Sequence, residues 1–346
     1  MNKGKKVITI YDIAEALNLS PSTVSRGLKD HPLLKKETIR KIKTAAIKLG
    51  YRRNKFASNL RQKQSFTIGV LVPKLNSYFM SSVISGIEKI TNQNEYGLLI
   101  NQSQESVGQE ISCVKTLFDS HVDGLLVSLA YDTKDLDHFS CMMEKNIPIV
   151  FFDRVTNCVG CMSIVIDNHK AGYEATSHLI EQGCRNIVHL TGNLLRNVYA
   201  DRLQGYSQAL TDHGITFDQN RVIAGDLSGN GAKTIVQKLL QMKPRPDAIF
   251  AANDTSAVSI MLELIQAGIK IPEEISVVGF NNDPISRVIT PQLTTIDYPA
   301  IEMGELAATS LINKLKGTQT NSISSMVLQH RLIVRNSTLK NNKPEN

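Results

Sequence analysis

Most of the chain alternates short apolar runs with amphipathic segments, and this alternation limits the possible folds more than any other feature. A first series has apolar runs at 67–73, 97–101, 123–128 and 148–152, separated by helical patterns at 81–91, 106–120 and 135–145. A second has runs at 186–191, 221–226, 247–251 and 276–280, with helical patterns at 168–182, 201–213, 229–242 and 255–267. Continuously apolar strands are typical of parallel sheets covered on both faces. We therefore expect an α/β fold with two doubly wound parallel-sheet subdomains.

The N-terminal stretch follows a different pattern. Thr9 followed by Asp12 is the signature of a helix N-terminus, and Ser20 followed by Pro21 starts a second helix after a short turn. Val24 is expected on the buried side of this second helix, with polar residues on the other side. The pattern predicts an all-α helix-turn-helix, whose second helix enters the DNA major groove; an ordinary helical hairpin is the alternative. The candidate DNA-binding residues here are Thr9, Ser20, Pro21, Ser22, Thr23, Ser25, Arg26 and Tyr51.

The positive charge of the chain is confined to this end. Residues 1–64 contain 16 Lys and Arg against 4 Asp and Glu, a net charge of +12, whereas the remaining 282 residues contain 23 against 28, a net charge of −5. This distribution indicates a polyanion-binding module fused to a body that does not bind nucleic acid. A third helix, expected at 37–49 and closed by Gly50, has a basic face that either contacts phosphates or is simply solvated: Arg40, Lys41, Lys43 and Lys48.

A basic linker follows at 51–63. Ala57 and Leu60 are three residues apart and would share one face of a short helix. Leu60 is either a wedge that enters the minor groove between base steps or a hydrophobic contact with the rest of the chain. We therefore expect a DNA-binding domain at 1–53, a hinge at 54–64, a core at 65–335 and a frayed polar tail at 336–346.

Several classes of protein lack support in the sequence. No apolar run is long enough to span a bilayer, and no apolar segment follows the basic N-terminal residues, so we expect a cytoplasmic protein without a signal peptide. No phosphate-binding loop, dinucleotide fingerprint or nucleophile elbow follows a strand, so neither an enzyme nor a cofactor is expected. Five cysteines argue against a disulfide framework, and the CxxC pair Cys158 and Cys161 is either incidental or a metal or redox site.

Aromatic, acidic, amide and guanidinium side chains gather at the carboxyl ends of the expected strands. Ligands of doubly wound sheets bind beyond these ends, and such side chains suit a polyhydroxylated or anionic small molecule. The candidate ligand-binding residues are Tyr78, Phe79, Asp153, Arg154, Arg196, Arg202, Asn253 and Asn281. Because three of these residues are arginines, a nucleobase or a phosphorylated compound is an alternative to a sugar as the ligand.

Several stretches along the chain match a known family pattern: TIYDIAEALNLSPSTVSR, KLGYRRNKFASNLR, DRLQGY, FAANDTSAV and SVVGFNNDPISRVITPQLTTI. With them, the chain resembles the LacI/GalR family of bacterial transcriptional regulators over nearly its whole length. The resemblance implies a homodimer with N-terminal DNA-binding modules and a core like the periplasmic sugar-binding proteins, in which the chain crosses between subdomains three times. Subdomain one would then contain about 65–165 and 295–325, and subdomain two about 166–294 and 326–335.

The resemblance also implies individual roles. Base-reading positions are taken by Pro21, Ser22 and Arg26, and the hinge-helix pattern by Asn54, Ala57 and Leu60, with Leu60 entering the minor groove. Arg202, within DRLQGY, takes an effector-binding position. The chain departs from the family pattern at Gly27, Lys29, Lys35, Leu227 and Asn281. The last two replace a frequent aromatic residue and a frequent acid, which weakens the expectation of a standard hexose.

The sequence thus predicts a dimeric, sequence-specific transcriptional regulator, expected to be a repressor. Its partners would be a pseudo-palindromic operator in double-stranded DNA and a small effector, either a sugar or sugar derivative or else a nucleobase or phosphorylated compound. A sugar-binding transport receptor is the alternative from another class of protein. The basic N-terminal end disfavours the receptor.

Overall fold

The computed structural model describes residues 8–51, 64–318 and 324–340, and the chain divides into two compact units between Ser65 and Phe66. The described part of the first unit contains the helices α1 (Ile10–Leu17), α2 (Pro21–Gly27) and α3 (Lys36–Leu49). Their small core consists of Ile13, Ala14, Val24, Ile42 and Ala46. The predicted helix-turn-helix is therefore present, followed by a third helix.

The predicted helix starts and stop are confirmed. The Thr9 backbone N–H donates to the Asp12 carboxylate at 2.8 Å, and the Ser20 hydroxyl accepts a 3.2 Å hydrogen bond from the Thr23 backbone N–H. Gly50 ends α3 in the left-handed conformation, at φ +70°. These bonds satisfy backbone groups that a helix end leaves unpaired.

The second unit contains two six-stranded sheets. The first has the strands β1 (Thr67–Val72), β2 (Gly97–Gln102), β3 (Gly124–Val127), β4 (Ile149–Phe152), β5 (Met162–Ile166) and β11 (Ser325–Leu328). All its pairings are parallel, in the order β11-β5-β4-β3-β1-β2. Its helices are α4 (Tyr78–Gln93), α5 (Val107–Asp119), α6 (Ser140–Glu144) and α12 (Ala300–Leu315).

The second sheet has the strands β6 (Ile187–Thr191), β7 (Val222–Ala224), β8 (Ala248–Ala251), β9 (Ser276–Asn281), β10 (Thr294–Asp297) and β12 (Arg331–Ile333). The order is β12-β10-β9-β8-β6-β7, and β12 is an antiparallel edge strand on an otherwise parallel sheet. Its helices are α7 (Asn168–Glu181), α8 (Asn197–Asp212), α9 (Ala232–Gln241), α10 (Asp254–Gln266) and α11 (Ile285–Val288). The predicted class, two doubly wound parallel-sheet subdomains, is confirmed.

Strands near the C-terminal end differ from the prediction. Thr294–Asp297 pairs with β9 in the second sheet, although the resemblance implied that the chain from about 295 belongs to subdomain one. The segment at 326–335, expected wholly in subdomain two, contributes a strand to each sheet, and Gln329 and His330 separate the two strands. The strand at Met162–Ile166 was not predicted: it is short, includes Ser163, and buries only alternate residues.

The expected frayed tail at 336–346 is also wrong for its first residues. Ser337 and Thr338 are fully buried. The Ser337 hydroxyl donates a 2.6 Å hydrogen bond to the Val277 carbonyl, and Thr338 is hydrogen-bonded to the His178 ring at 2.8 Å. These bonds fasten the segment after β12 to the second sheet and to α7.

Two further observations concern the cysteines and the helices. Cys158 and Cys161 form a disulfide in the loop between β4 and β5, while Cys113, Cys141 and Cys184 are free. The bridge closes a local loop and is not a disulfide framework. Within the described residues no cluster of metal-ligating side chains is present, and no helix is long and apolar enough to cross a membrane.

Candidate functional site

The helix α2 presents a polar outer side. Arg26 and Ser22 are exposed, Thr23 and Ser25 are half-buried, and Val24 faces the core. The Ser20 hydroxyl lies 2.8 Å from both the Ser22 and the Thr23 hydroxyls. Three of the predicted polar residues thus form a hydroxyl cluster at the N-terminus of α2, where backbone N–H groups also favour an anion. Arg26 is one turn further along.

Other predicted DNA-binding residues have structural partners. The Thr9 hydroxyl donates a 2.6 Å hydrogen bond to Asp12, and Tyr51 packs half-buried against the core of the three helices. On the basic face of α3, Lys43 pairs with Asp30 at 2.6 Å and Lys41 with Glu37 at 2.9 Å, and all four basic residues of this face are exposed. The predicted hinge residues Asn54, Ala57 and Leu60 lie outside the described residues.

A cavity of about 540 Å³ lies beyond the carboxyl ends of the strands and takes its lining from both subdomains. This volume is within the range of small-molecule sites. Seven of the eight predicted ligand-binding residues line it: Tyr78, Phe79, Asp153, Arg154, Arg202, Asn253 and Asn281. Residues distributed over more than 200 positions of sequence are therefore brought to one place.

Arg154, just after β4, is held on several sides. Its Nη1 donates to the Glu105 carboxylate at 2.6 Å, and its Nη2 donates to the Tyr199 hydroxyl at 3.0 Å. The guanidinium carbon lies 4.4 Å from the ring centroid of Tyr131, a cation–π distance. Glu105 neutralises Arg154, so this arginine does not offer an unpaired positive charge to an anionic ligand.

Arg202, on α8, is buried at the base of the cavity with 3% of its surface exposed. Its Nε donates to Asn168 Oδ1 and its Nη1 donates to the Ala252 carbonyl, both at 2.9 Å. Its guanidinium carbon lies 3.5 Å from the ring centroid of Phe280. Burial lowers the pKa of Arg202, since desolvation disfavours the charged form.

Asp153 and Tyr298 both line the cavity and are joined by a hydrogen bond. The Tyr298 hydroxyl donates to Asp153 Oδ1 at 3.0 Å, and the Ser128 hydroxyl donates to Oδ2 at 3.2 Å. Burial and the neighbouring Asp153 raise the pKa of Tyr298 well above its usual value. The Tyr298 ring lies 4.4 Å from that of Phe79, and together these rings supply an apolar surface on which a sugar ring could stack.

Asn253 is largely occupied by a structural role. Its Oδ1 caps α10 by accepting a 2.8 Å hydrogen bond from the Ser256 backbone N–H, and its Nδ2 donates to the Leu227 carbonyl at 3.1 Å. Leu227, noted as replacing an aromatic residue, lines the cavity and is 9% exposed. Asn281 ends β9 with φ +114°, in the region that favours glycine.

Arg196 is the exception among the predicted ligand-binding residues. It precedes α8, is 4% exposed and does not line the cavity. Its Nη2 donates to the Thr133 carbonyl, while Nε and Nη1 have no hydrogen-bond partner within the described chain. Burial lowers the pKa of Arg196, and the buried Glu110 counteracts this. The structure thus places Arg196 between the two subdomains, beside the cavity.

Sequence reasoning missed several residues of the cavity wall. Tyr131 and Tyr298 follow β3 and β10 within a few residues, so the strand-end rule that identified Asp153 could have found them. Tyr199 lies within α8, and Glu105 precedes α5, so neither carries such a signal. Asp226 also lines the cavity, as does Asp283, which closes the polar run at the end of β9. The Ser228 backbone N–H donates to Asp226 and lowers its pKa.

The N-terminal unit and the body match different family models. Residues 9–54 match the model of bacterial regulatory proteins of the lacI family, and residues 176–338 match that of a periplasmic binding protein-like domain. The HTH-type transcriptional repressor PurR of Vibrio atlanticus is 30% identical over 334 residues, covering 96% of this chain and 98% of that protein. The ribose operon repressor of Haemophilus influenzae is 30% identical over 329 residues, covering 95% and 98%.

Among solved structures, the lac repressor dimer bound to operator and to the anti-inducer ONPF superposes with a TM-score of 0.86 at 26% identity. The match covers 97% of this chain and 100% of that one. The likeness therefore extends over both units of the chain and is not limited to the helix-turn-helix.

Proposed function

The chain belongs to the LacI family of bacterial regulatory proteins, and from this premise we propose that it is a transcriptional repressor whose operator affinity is set by a small ligand in the cavity between its two sheets. It would act as a homodimer, with one helix-turn-helix on each half of a pseudo-palindromic operator. The proposal gives the protein no catalytic role and places it in the cytoplasm.

The regulatory part of the proposal rests on one observation, that both subdomains contribute residues to the cavity wall. Asp153 and Arg154 follow a strand of the first sheet, whereas Arg202 and Asn281 belong to elements of the second. A ligand that contacts both sets binds more tightly to one relative orientation of the subdomains than to another. Such differential affinity is what allows a ligand to shift a conformational equilibrium.

We propose a neutral polyhydroxylated ligand in preference to a phosphorylated one. Of the three arginines that suggested an anion, Arg196 does not line the cavity and Arg154 is paired with Glu105. Arg202 remains as a donor toward the ligand, beside the aromatic surface of Phe79 and Tyr298. Stacking faces combined with a few fixed donors and acceptors are typical of sugar recognition.

For DNA, we propose that Arg26 reads a base and that Ser22 and Thr23 contact the backbone near the N-terminus of α2. An exposed arginine on the recognition helix suits the O6 and N7 atoms of guanine. The predicted hinge, with Leu60 as its minor-groove wedge, stays a prediction from the sequence.

The DNA-binding proposal is tested by selecting bound sequences from random double-stranded DNA with the purified full chain, followed by footprinting. We expect the selected sequences to share a two-fold-related consensus. Arg26→Ala should bind this consensus at least about tenfold more weakly than the parent chain, since a bidentate base contact is worth about 1–3 kcal/mol. Lys48→Ala removes an exposed charge from α3 and serves as the control. This variant should bind all DNA sequences more weakly, and by the same factor. Enrichment of no sequence would refute the proposal.

A further inference from the structure

We infer that Asp283 supplies the carboxylate that accepts a hydrogen bond from the effector, and that its partner is a hydroxyl or ammonium group of a neutral or cationic sugar-like ligand. The inference rests on the proposed function, because it assigns a contact within the same cavity. Asp283 closes the polar run Asn281–Asp283 at the end of β9, of which only Asn281 was a predicted ligand-binding residue.

The backbone of Asp283 is fixed on both sides. Its N–H donates to Asp254 Oδ2 at 2.7 Å, and its carbonyl accepts a 2.7 Å hydrogen bond from the Ser286 hydroxyl. Asp254 is itself fully buried, with Oδ1 accepting a 2.6 Å hydrogen bond from the Thr295 hydroxyl. A Cβ at Gly279 would overlap this Oδ1, so a glycine is required where Asp254 packs against β9. Asp254 is thus a positioning residue for Asp283.

The side chain of Asp283 lines the cavity and is 94% buried, since its exposed fraction is 6%. Its Oδ1 has no hydrogen-bond partner among the described residues. Leaving a buried acceptor unpaired is costly, so such atoms require an explanation. A donor group on a ligand in the adjoining cavity would use the acceptor capacity of this carboxylate.

The other cavity carboxylates are already engaged. Asp153 accepts from Tyr298 and Ser128, Glu105 pairs with Arg154, and Asp226 accepts from Ser228. Burial raises the pKa of Asp283 to about 6, although the Asn281 side chain partly offsets it. At neutral pH the group is therefore mostly an ionised acceptor. Asn281 lacks the acid frequent at its position, and Asp283 supplies a carboxylate two residues further on.

The charge of the cavity wall indicates the class of ligand. Its acids are Glu105, Asp153, Asp226 and Asp283, and its bases are Lys74, Arg154 and Arg202. A phosphate or carboxylate on the ligand would bring a further negative charge toward the buried Asp283, which is unfavourable at short range. A hydroxyl or an ammonium group instead donates to it. This arrangement favours neutral sugars and amino sugars over sugar phosphates.

The test uses the full chain and a panel of probes. Neutral pentoses, hexoses and disaccharides, hexosamines, sugar phosphates and purine bases are screened by thermal shift, and hits are measured by calorimetry at pH 7.5. We expect a hit among the neutral sugars or hexosamines, with affinity reduced at least about tenfold by Asp283→Asn. Asp212→Asn, which removes an exposed carboxylate from α8, should leave the affinity unchanged.

Each outcome decides the inference. A hit whose affinity survives Asp283→Asn overturns the contact, and Asp283→Ser repeats the measurement if the asparagine variant does not fold. A hit only among sugar phosphates or purine bases, or no hit at all, overturns the ligand class. Operator selection with the same preparation is the separate readout of the proposed DNA binding. A chain that binds operator but fails the panel contradicts the ligand class and this inference, and leaves the DNA-binding proposal standing.

Discussion

The Arg154 guanidinium donates a 3.0 Å hydrogen bond to the Tyr199 hydroxyl, and this bond joins the end of β4 in the first subdomain to α8 in the second. The same hydroxyl lies 3.1 Å from that of Tyr131, another residue of the first subdomain. Nearby, Asn197 accepts a 2.9 Å hydrogen bond from the Val155 backbone N–H. These contacts form a polar link between the subdomains at one edge of the cavity.

Tyr199→Phe tests whether this link restrains the subdomains. Removing the shared hydroxyl should destabilise the link by about 1 kcal/mol and let the Val155 amide exchange with solvent faster. Hydrogen exchange measured by mass spectrometry checks this in the ligand-free chain. Tyr206→Phe is the matched control, because its hydroxyl donates to the Ile187 carbonyl within the second subdomain. Equal exchange at Val155 in both variants would contradict the role of the link.

Arg202→Met should weaken ligand binding while the chain still binds DNA. The change removes a cavity donor and also leaves the Ala252 carbonyl and Asn168 Oδ1 without their partner. We therefore expect ligand affinity to fall at least about tenfold and the free energy of unfolding to fall by about 1–3 kcal/mol. Calorimetry and denaturant unfolding measure the two effects. A variant that binds ligand normally would remove Arg202 from the site.

Arg196→Met should behave differently, because Arg196 does not line the cavity. We expect ligand affinity to stay within about threefold of the parent chain, a change under 1 kcal/mol. The free energy of unfolding should fall by less than for Arg202→Met, since only the Thr133 carbonyl loses its partner and two of the guanidinium nitrogens of Arg196 had none. The same two measurements apply. A loss of affinity as large as that of Arg202→Met would restore the sequence-based assignment of Arg196.

His189 makes the body sensitive to acid. It is fully buried between Phe250 and Tyr206, and burial lowers its pKa to about 4. The unfolded chain takes up this proton near pH 6.5 and the folded chain does not, so stability is lost as pH falls from 6.5 toward 4. The loss from this residue amounts to about 3 kcal/mol.

His189→Phe keeps a planar ring at this position and cannot titrate. Denaturant unfolding of both chains at pH 7, 6, 5 and 4 should show a smaller loss of stability in the variant. The difference between the two chains isolates His189 from Asp254 and Asp283, whose raised pKa values act in the opposite direction. Parallel pH profiles would show that the His189 ring titrates normally in the folded state.

The sequence predicts the regular elements well because their signals are local. The capping residues Thr9 and Ser20 and the stop at Gly50 act within one helical turn, and continuously apolar runs identify most strands. Sheet membership near the C-terminal end depends on which distant strand each segment pairs with. No local signal indicates that Thr294–Asp297 pairs with β9 while Ser325–Leu328 pairs with β5.

The cavity residues differ in the same way, because a local signal identifies some of them and not others. Asp153, Arg154 and Asn281 follow buried strands, and the rule that ligands bind beyond strand ends identifies them. The rule does not reveal that Glu105 neutralises Arg154 or that Asn253 caps a helix, because both depend on side-chain partners in the fold. Arg196 satisfies the rule by position, yet its side chain is directed to the Thr133 carbonyl.

In the proposed mechanism, occupancy of the cavity controls affinity for the operator. The most direct test titrates the selected operator with the full chain, with and without a ligand that calorimetry has shown to bind, at one fixed salt concentration because salt alone alters DNA affinity. We expect a ligand concentration that saturates the parent chain to change its operator Kd at least about fivefold, and to have a much smaller effect on the operator Kd of Arg202→Met. An operator Kd that the bound ligand does not alter would contradict this mechanism.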